Sequence, residues 1–158
     1  MSGDMLSSSI EVAKLSTISA FGALSEETIK FLVTHGKAIQ LKAGDHLFHC
    51  GDSANEFYIV LTASIRLFQS SSGENRFVRE YLPGDQVGVS AMITLNPRHG
   101  DGIASIDCEE LGVGSAVFHD LYNQSHQDFV IFLMNMFRDM ARGLKKERES
   151  LLEASVPK

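Results

Sequence analysis

Over residues 38–114 the chain is cut repeatedly by glycine, at Gly44, Gly51, Gly73, Gly84, Gly88, Gly100 and Gly102 among others. The pieces between the cuts are too short for stable helices and are rich in β-branched and aromatic residues, so they read as strands. These pieces are 38–41, 46–48, 56–61, 65–69, 76–82, 102–106 and 110–113. Residues 70–75, SSSGEN, read as a hairpin loop, and Pro83, Gly84 and Asp85 turn the chain again. A parallel sheet needs a long crossover between strands, and these connections are short. The segment can therefore close only as an antiparallel β-roll or jelly roll of about eight strands.

Helices flank the roll. Residues 7–19 carry a weak helical pattern in Ile10, Val12, Ala13, Leu15 and Ile18. A second helix begins after Ser25 as cap, with Glu26 and Glu27 at the positive end of its dipole, and stops at Gly36. After Gly114, Ser115 is read as the cap of a short helix to about residue 122, and a long amphipathic helix follows over 125–152. That helix is roughly 40 Å long, more than a small roll covers, so part of its apolar stripe needs another partner. The expected layout is a flexible start (1–9), one domain (10–152) with helices over 115–152, and a flexible tail (153–158).

The bulk properties fit one such domain. With 158 residues and 44% hydrophobic content the chain can bury one core, and a net charge of −6 repels phosphate backbones and acidic lipid. Cys50 and Cys108 form no CxxC pair. A basic leader followed by an apolar run is missing, as is an apolar stretch long enough to span a bilayer, so a cytoplasmic location is expected.

Four segments carry a resemblance: KAGDHLFHCGD (42–52), NEFYIV (55–60), LPGDQVG (82–88) and NPRHG (96–100). In this order they resemble the cyclic-nucleotide-binding domain family, which includes catabolite-activator-type regulators, kinase regulatory subunits and gated channels. The resemblance runs from about residue 15 to residue 144 and implies a phosphate-binding cassette over 88–100, GVSAMITLNPRHG. The physical logic is independent of the family. A glycine lets the backbone approach an anion, and an arginine supplies the matching cation. Gly88, Ala91 and Arg98 match it, and Ser90 lies between them.

The chain also departs from the family pattern, and two of the departures, at Val89 and His99, bear on affinity. The acidic residue that members of the family place after the cassette glycine, to hold the ribose 2′-hydroxyl, is Val89 here. Loss of a hydrogen bond to a charged group weakens binding roughly ten- to a hundredfold. His99 follows Arg98 where a small or hydroxyl residue is usual, and either crowds the phosphate or, protonated, assists it. Ala63 replaces a turn glycine, and Asp101 is a candidate internal partner for Arg98.

The resemblance also implies that the long helix both dimerises and covers the ligand, with the dimer interface formed by Phe129, Phe132, Leu133, Met136, Phe137, Met140 and Leu144. The preferred reading is a sensor that binds cAMP or cGMP, needs no cofactor or metal, and acts through a homodimer on an effector protein that the sequence does not identify. Another small anion as ligand, or a ligand-free dimerisation or docking module, are the alternatives. With the chain ending at Lys158, no helix-turn-helix follows the long helix, and direct DNA reading is not expected. A cupin-type enzyme is less favoured, because the chain has no His-x-His pair. His46 and His49, three apart in a strand, are expected to face opposite sides. No GxSxG elbow supports a serine nucleophile.

Overall fold

The computed structural model describes residues 12–157. The expected flexible start, the beginning of the first predicted helix and Lys158 lie outside the described residues. Helix α1 (Val12–Leu15), a single 3-10 turn (Ser19–Phe21) and helix α2 (Glu26–His35) precede the strands. Ser25 caps α2 by accepting from the Thr28 amide at 3.2 Å. The strands are β1 (Lys37–Leu41), β2 (His46–Phe48), β3 (Glu56–Val60), β4 (Ile65–Ser71), β5 (Glu74–Tyr81), β6 (Gln86–Val87), β7 (Asp101–Ala104) and β8 (Cys108–Gly114). Helix α3 (Val89–Thr94) is inserted between β6 and β7, and α4 (Ser115–Gln124) and α5 (His126–Ala154) close the chain.

The eight strands form two antiparallel sheets, ordered β1-β8-β3-β6 and β2-β7-β4-β5. Strict alternation gives the first sheet two buried faces. Phe57 and Ile59 of β3, with Leu111 and Val113 of β8, join the helical core of Leu15, Phe21, Ile29, Leu32, Leu121, Phe132 and Met136. The intervening residues Tyr58, Val60 and Cys108 point the other way, into the roll, against Phe48, Ile65, Val87 and Ala104. This is why β3 reads as an unbroken apolar run.

Several boundaries differ from expectation for identifiable reasons. The predicted six-residue loop is a two-residue turn, because Ser72 and Gly73 both take positive φ (56° and 80°) and Ser71 pairs with Glu74. Such a turn matches the twist of the flanking strands and lets both run almost to its tip. Strand β6 lies inside what reads as turn sequence, and its two residues are held by pairing with Tyr58 and Ile59. Gly114, not Ser115, occupies the cap position of α4, and no side chain caps it. Glu153 and Ala154, expected in a tail, are the last residues of α5.

Helix α5 splits the expected interface residues. Phe132 and Met136 are buried within the chain itself, with the Phe132 and Phe57 ring centres 6.0 Å apart, so they are core residues with no surface left for a second copy. Phe129, Leu133 and Met140 are half-buried against the same core. Phe137 and Leu144 are exposed, in line with Val130, Met134 and Leu151. Two hydroxyls anchor the start of α5: Ser25 and Thr28 both donate to the Asp128 carboxylate. Burial alone would raise that carboxyl, but these hydrogen bonds outweigh it and hold it below its ordinary value.

Glu110, on β8, is fully buried with neither carboxylate oxygen bonded, and burial pushes its pKa from 4.5 up to about 8. A folded pKa above the unfolded one means that its favourable contribution is complete below about pH 4.5 and is lost as the pH rises toward 8. Urea unfolding between pH 5 and pH 8 should show stability falling on the order of a few kcal/mol from this group. In Glu110→Gln that part of the slope should disappear.

Candidate functional site

A cavity of about 360 Å³ lies between the α3 segment, the β4–β5 wall and α5. All six predicted ligand-binding residues line it: Gly88, Val89, Ser90, Ala91, Arg98 and His99. Gly88 follows β6 with φ +82°, in the left-handed region, and serves as the cap position of α3. A Cβ built on Gly88 would stand 2.2 Å from Arg98 Nη1, so its absence is what admits the guanidinium.

Arg98 is only 3% exposed. Its backbone is fixed to the turn after β2: the Arg98 amide donates to the Asp52 carbonyl and the Gly51 amide to the Arg98 carbonyl, both at 2.9 Å. Its Nη1 donates to the Gly88 carbonyl at 2.9 Å, and Nη2 donates to the Glu56 carbonyl. The guanidinium also lies 4.6 Å from the Phe48 ring centre and 5.4 Å from that of Tyr58. The Tyr58 hydroxyl donates to Glu56 at 2.8 Å, and burial followed by this bond pushes its pKa up to about 12. Arg98 forms no salt bridge among the described residues, and its Nε is buried without a partner.

Asp101, the candidate internal partner of Arg98, forms no salt bridge with it. Its carboxylate accepts from the Cys50 amide at 2.8 Å, which ties β7 to the β2 turn. Val89 is 4% exposed and belongs to the helical core as well as to the cavity wall, while His99 is exposed at its rim. His46 and His49 also depart from expectation. Strand β2 ends at Phe48, so His49 sits in the turn and its ring stacks on His46 at 4.2 Å. Among the described residues no group of three or more His, Cys, Asp or Glu side chains is placed to hold a metal ion.

Sequence reading missed most of the wall. Met140 and Leu144, expected only at a subunit interface, line the cavity together with Asp139 and Gly143 from the same helix. From the strands come Phe48, Arg79, Tyr81 and Gln86. The available signal was Gly143, a helix-weakening residue in the middle of a long helix, which calls for a local reason.

The comparisons agree with this geometry. The chain matches the family described as the cyclic nucleotide-binding domain over residues 38–125. It belongs to that family. The match spans the whole cassette and the strands on either side of it, and the membership supports a sensor or regulatory role. Lysophospholipase NTE1 of Cryptococcus neoformans var. neoformans is 29% identical over 103 residues, 65% of this chain but only 6% of that protein. A cyclic nucleotide-binding domain from Methylobacillus flagellatus has the same fold, with a TM-score of 0.83 at 14% identity over 93% of this chain and 85% of the other. The regulatory domain of Toxoplasma gondii PKA, solved with cAMP, has a TM-score of 0.62 at 20% identity, covering 70% and 43%. Among the described residues no helix is long and apolar enough to cross a membrane.

Gly88→Ala should be costly, since alanine there combines strained φ with the collision against Arg98. Urea denaturation should register a loss of about 2 kcal/mol or more, against less than about 1 kcal/mol for Ser90→Ala on the exposed side of α3.

Proposed function

We propose that the cavity binds a cyclic nucleotide, cAMP or cGMP, with its phosphate held at Arg98, and that α5 carries the signal of occupancy to a second subunit and an effector protein. One observation carries this reading. A guanidinium is buried at the cassette with carbonyls and aromatic faces around it and no carboxylate to neutralise it. Burying a cation without a counter-ion is expensive, and a site that keeps one in the wall of a cavity is suited to an anionic ligand. The cavity volume of about 360 Å³ lies within the range of small-molecule sites, roughly 300–1,000 Å³. The pairing of Asp101 with the Cys50 amide removes the strongest argument for an internally neutralised, ligand-free cassette. Val89 offers no hydrogen bond to a ribose, so the affinity should be lower than that of a site with an acid in its place. The chain acts here as a binding module and not as an enzyme.

The proposed subunit contact is narrower than the whole stripe. Val130, Met134, Phe137, Leu144 and Leu151 are all at least half exposed; the first three are four and three residues apart, Ala141 continues the pattern to Leu144, and Leu151 follows seven residues later with Arg148 at the position between. This is the spacing of a two-helix seam, which fits a second copy of the chain related by a twofold axis.

Thermal unfolding with millimolar cAMP, cGMP or cyclic dinucleotides tests the ligand. Saturation to about a hundred times the dissociation constant adds ~2.7 kcal/mol and should raise the melting temperature by several degrees. The shift should be absent in Arg98→Ala and in the gentler Arg98→Lys. No shift with any nucleotide in the unmodified chain overturns the reading. For the seam, Phe137→Glu combined with Leu144→Glu should convert a dimer to a monomer in analytical ultracentrifugation without changing the circular dichroism of the roll; a chain already monomeric at high micromolar concentration refutes it.

A further inference from the structure

A second cavity, of about 560 Å³, lies on another face of α5, between that helix, the 3-10 turn and the β5–β6 turn at Gly84. Its helix side divides along the axis. Val130, Ile131 and Met134 form an aliphatic end, and Arg138 and Arg142, one and two turns beyond Met134, form a cationic one. Gln86 and Asp139 belong to the wall that it shares with the cassette cavity.

The cationic end is held in place by buried groups. Asn135 is 7% exposed, and its amide donates to the Ala20 and Gly22 carbonyls, which leaves its Oδ1 to accept from Arg138 Nη1 at 3.0 Å. A neutral partner thus orients this guanidinium without neutralising it. Arg142 stands four residues on, where like charges on one helix face repel, and neither arginine forms a salt bridge among the described residues. In the wall beside them Gln86 is 4% exposed, and both polar atoms of its side-chain amide are buried without a partner among the described residues. An unpartnered buried amide is costly, and this one offers a donor to a group seated in the cavity.

These features define a ligand chemistry. The parallel donors of a guanidinium match the two oxygens of a carboxylate. Two arginines against Asp139 leave one net positive charge in the lining, which suits a monoanion better than a phosphate dianion. No aromatic ring lines the cavity among the described residues, so nothing there stacks a base, whereas Val130, Ile131 and Met134 suit a hydrocarbon chain. We infer that this cavity binds an aliphatic carboxylate, a fatty acid with its head at Arg138 and Arg142 and its chain along Val130, Ile131 and Met134. Val130 and Met134 also belong to the proposed subunit seam, so the chain lies at the edge of that contact. The inference does not depend on nucleotide binding at Arg98.

Isothermal titration calorimetry of the full chain with octanoate, decanoate and dodecanoate, each below its micelle concentration, tests it. Affinity should rise roughly tenfold for each two methylenes added. Decanol and decyltrimethylammonium have the same chain without a negative head and should bind at least about tenfold more weakly than decanoate. Both arginines are exposed and can be changed with little effect on the core. The double variant Arg138→Gln, Arg142→Gln should weaken decanoate at least about tenfold while leaving decanol within about threefold and the circular dichroism unchanged. Decanoate binding that survives this double variant overturns the inference and places the ligand elsewhere, in the cassette cavity if Arg98→Ala then abolishes it. Equal affinity for the cationic amphiphile also overturns it, as does a lack of saturable binding at every chain length, the groove then being only the flank of the seam. A failure of cAMP and cGMP to shift the melting temperature counts against the proposed function alone, because the readout here is the carboxylate.

Discussion

The structure turns on a cation buried where a helix begins. Arg98 joins the two ends of the cassette to a segment at least 42 residues away: its guanidinium reaches the Gly88 carbonyl and the Glu56 carbonyl, and its backbone pairs with the turn at Gly51 and Asp52. Each carbonyl bond to a charged donor returns about 1.5–3 kcal/mol, which offsets only part of the several kcal/mol that desolvating the charge costs. Rings of Phe48 and Tyr58 against the guanidinium supply more. The neutral partners hold Arg98 in place without neutralising it, and its charge remains available at the cavity wall.

Helix α5 connects that wall to everything outside it because three of its faces do different work. Phe132 and Met136 face the helical core, Asp139 and Gly143 face the cavity, and Met134 and Phe137 face away from both. A rigid helix cannot change its packing on one of these faces independently of the others. The start of α5 is held by the Ser25 and Thr28 bonds to Asp128, and by Asn135, whose amide donates to the carbonyls of Ala20 at 3.2 Å and Gly22 at 2.9 Å. Beyond Met140 its contacts with the roll are the looser ones through Arg79 and the cavity rim. In the proposed function the C-terminal half is the part that the ligand would re-seat, and Leu144, which lines the cavity and is 67% exposed, lies at the junction.

What was legible in the sequence follows the range of the forces involved. The roll was readable because glycine turns and two-residue alternation are local, and the cassette because Gly88 and Arg98 lie within one short segment. The errors occurred where distant chain decides. Gln86 and Val87 become a strand only through Tyr58 and Ile59, and Asp101 chooses the Cys50 amide across 51 residues. The apolar positions of α5 show one stripe, but the sheet beneath it determines which of them are taken into the subunit core. Arg79 reads as an ordinary strand residue until Val78, left as an extra residue in the β4–β5 ladder, and the close approach of Gly143 are seen together.

Val89 shows why the altered cassette is not simply a damaged one. Its side chain is 4% exposed and sits in the apolar cluster that includes Phe132 and Met136 of α5. An ionised carboxylate at this position would have to turn fully toward the cavity or be buried among hydrocarbon, where an uncompensated charge costs several kcal/mol. Valine instead spends the position on packing, and it lies one residue from the glycine that Arg98 grips. The cassette thereby shares one apolar core with α5, and close-packed cores transmit displacement instead of absorbing it. Under the proposed function, valine here gives up a polar contact with the sugar for apolar packing in the core that α5 shares, and the phosphate at Arg98 would carry more of the binding.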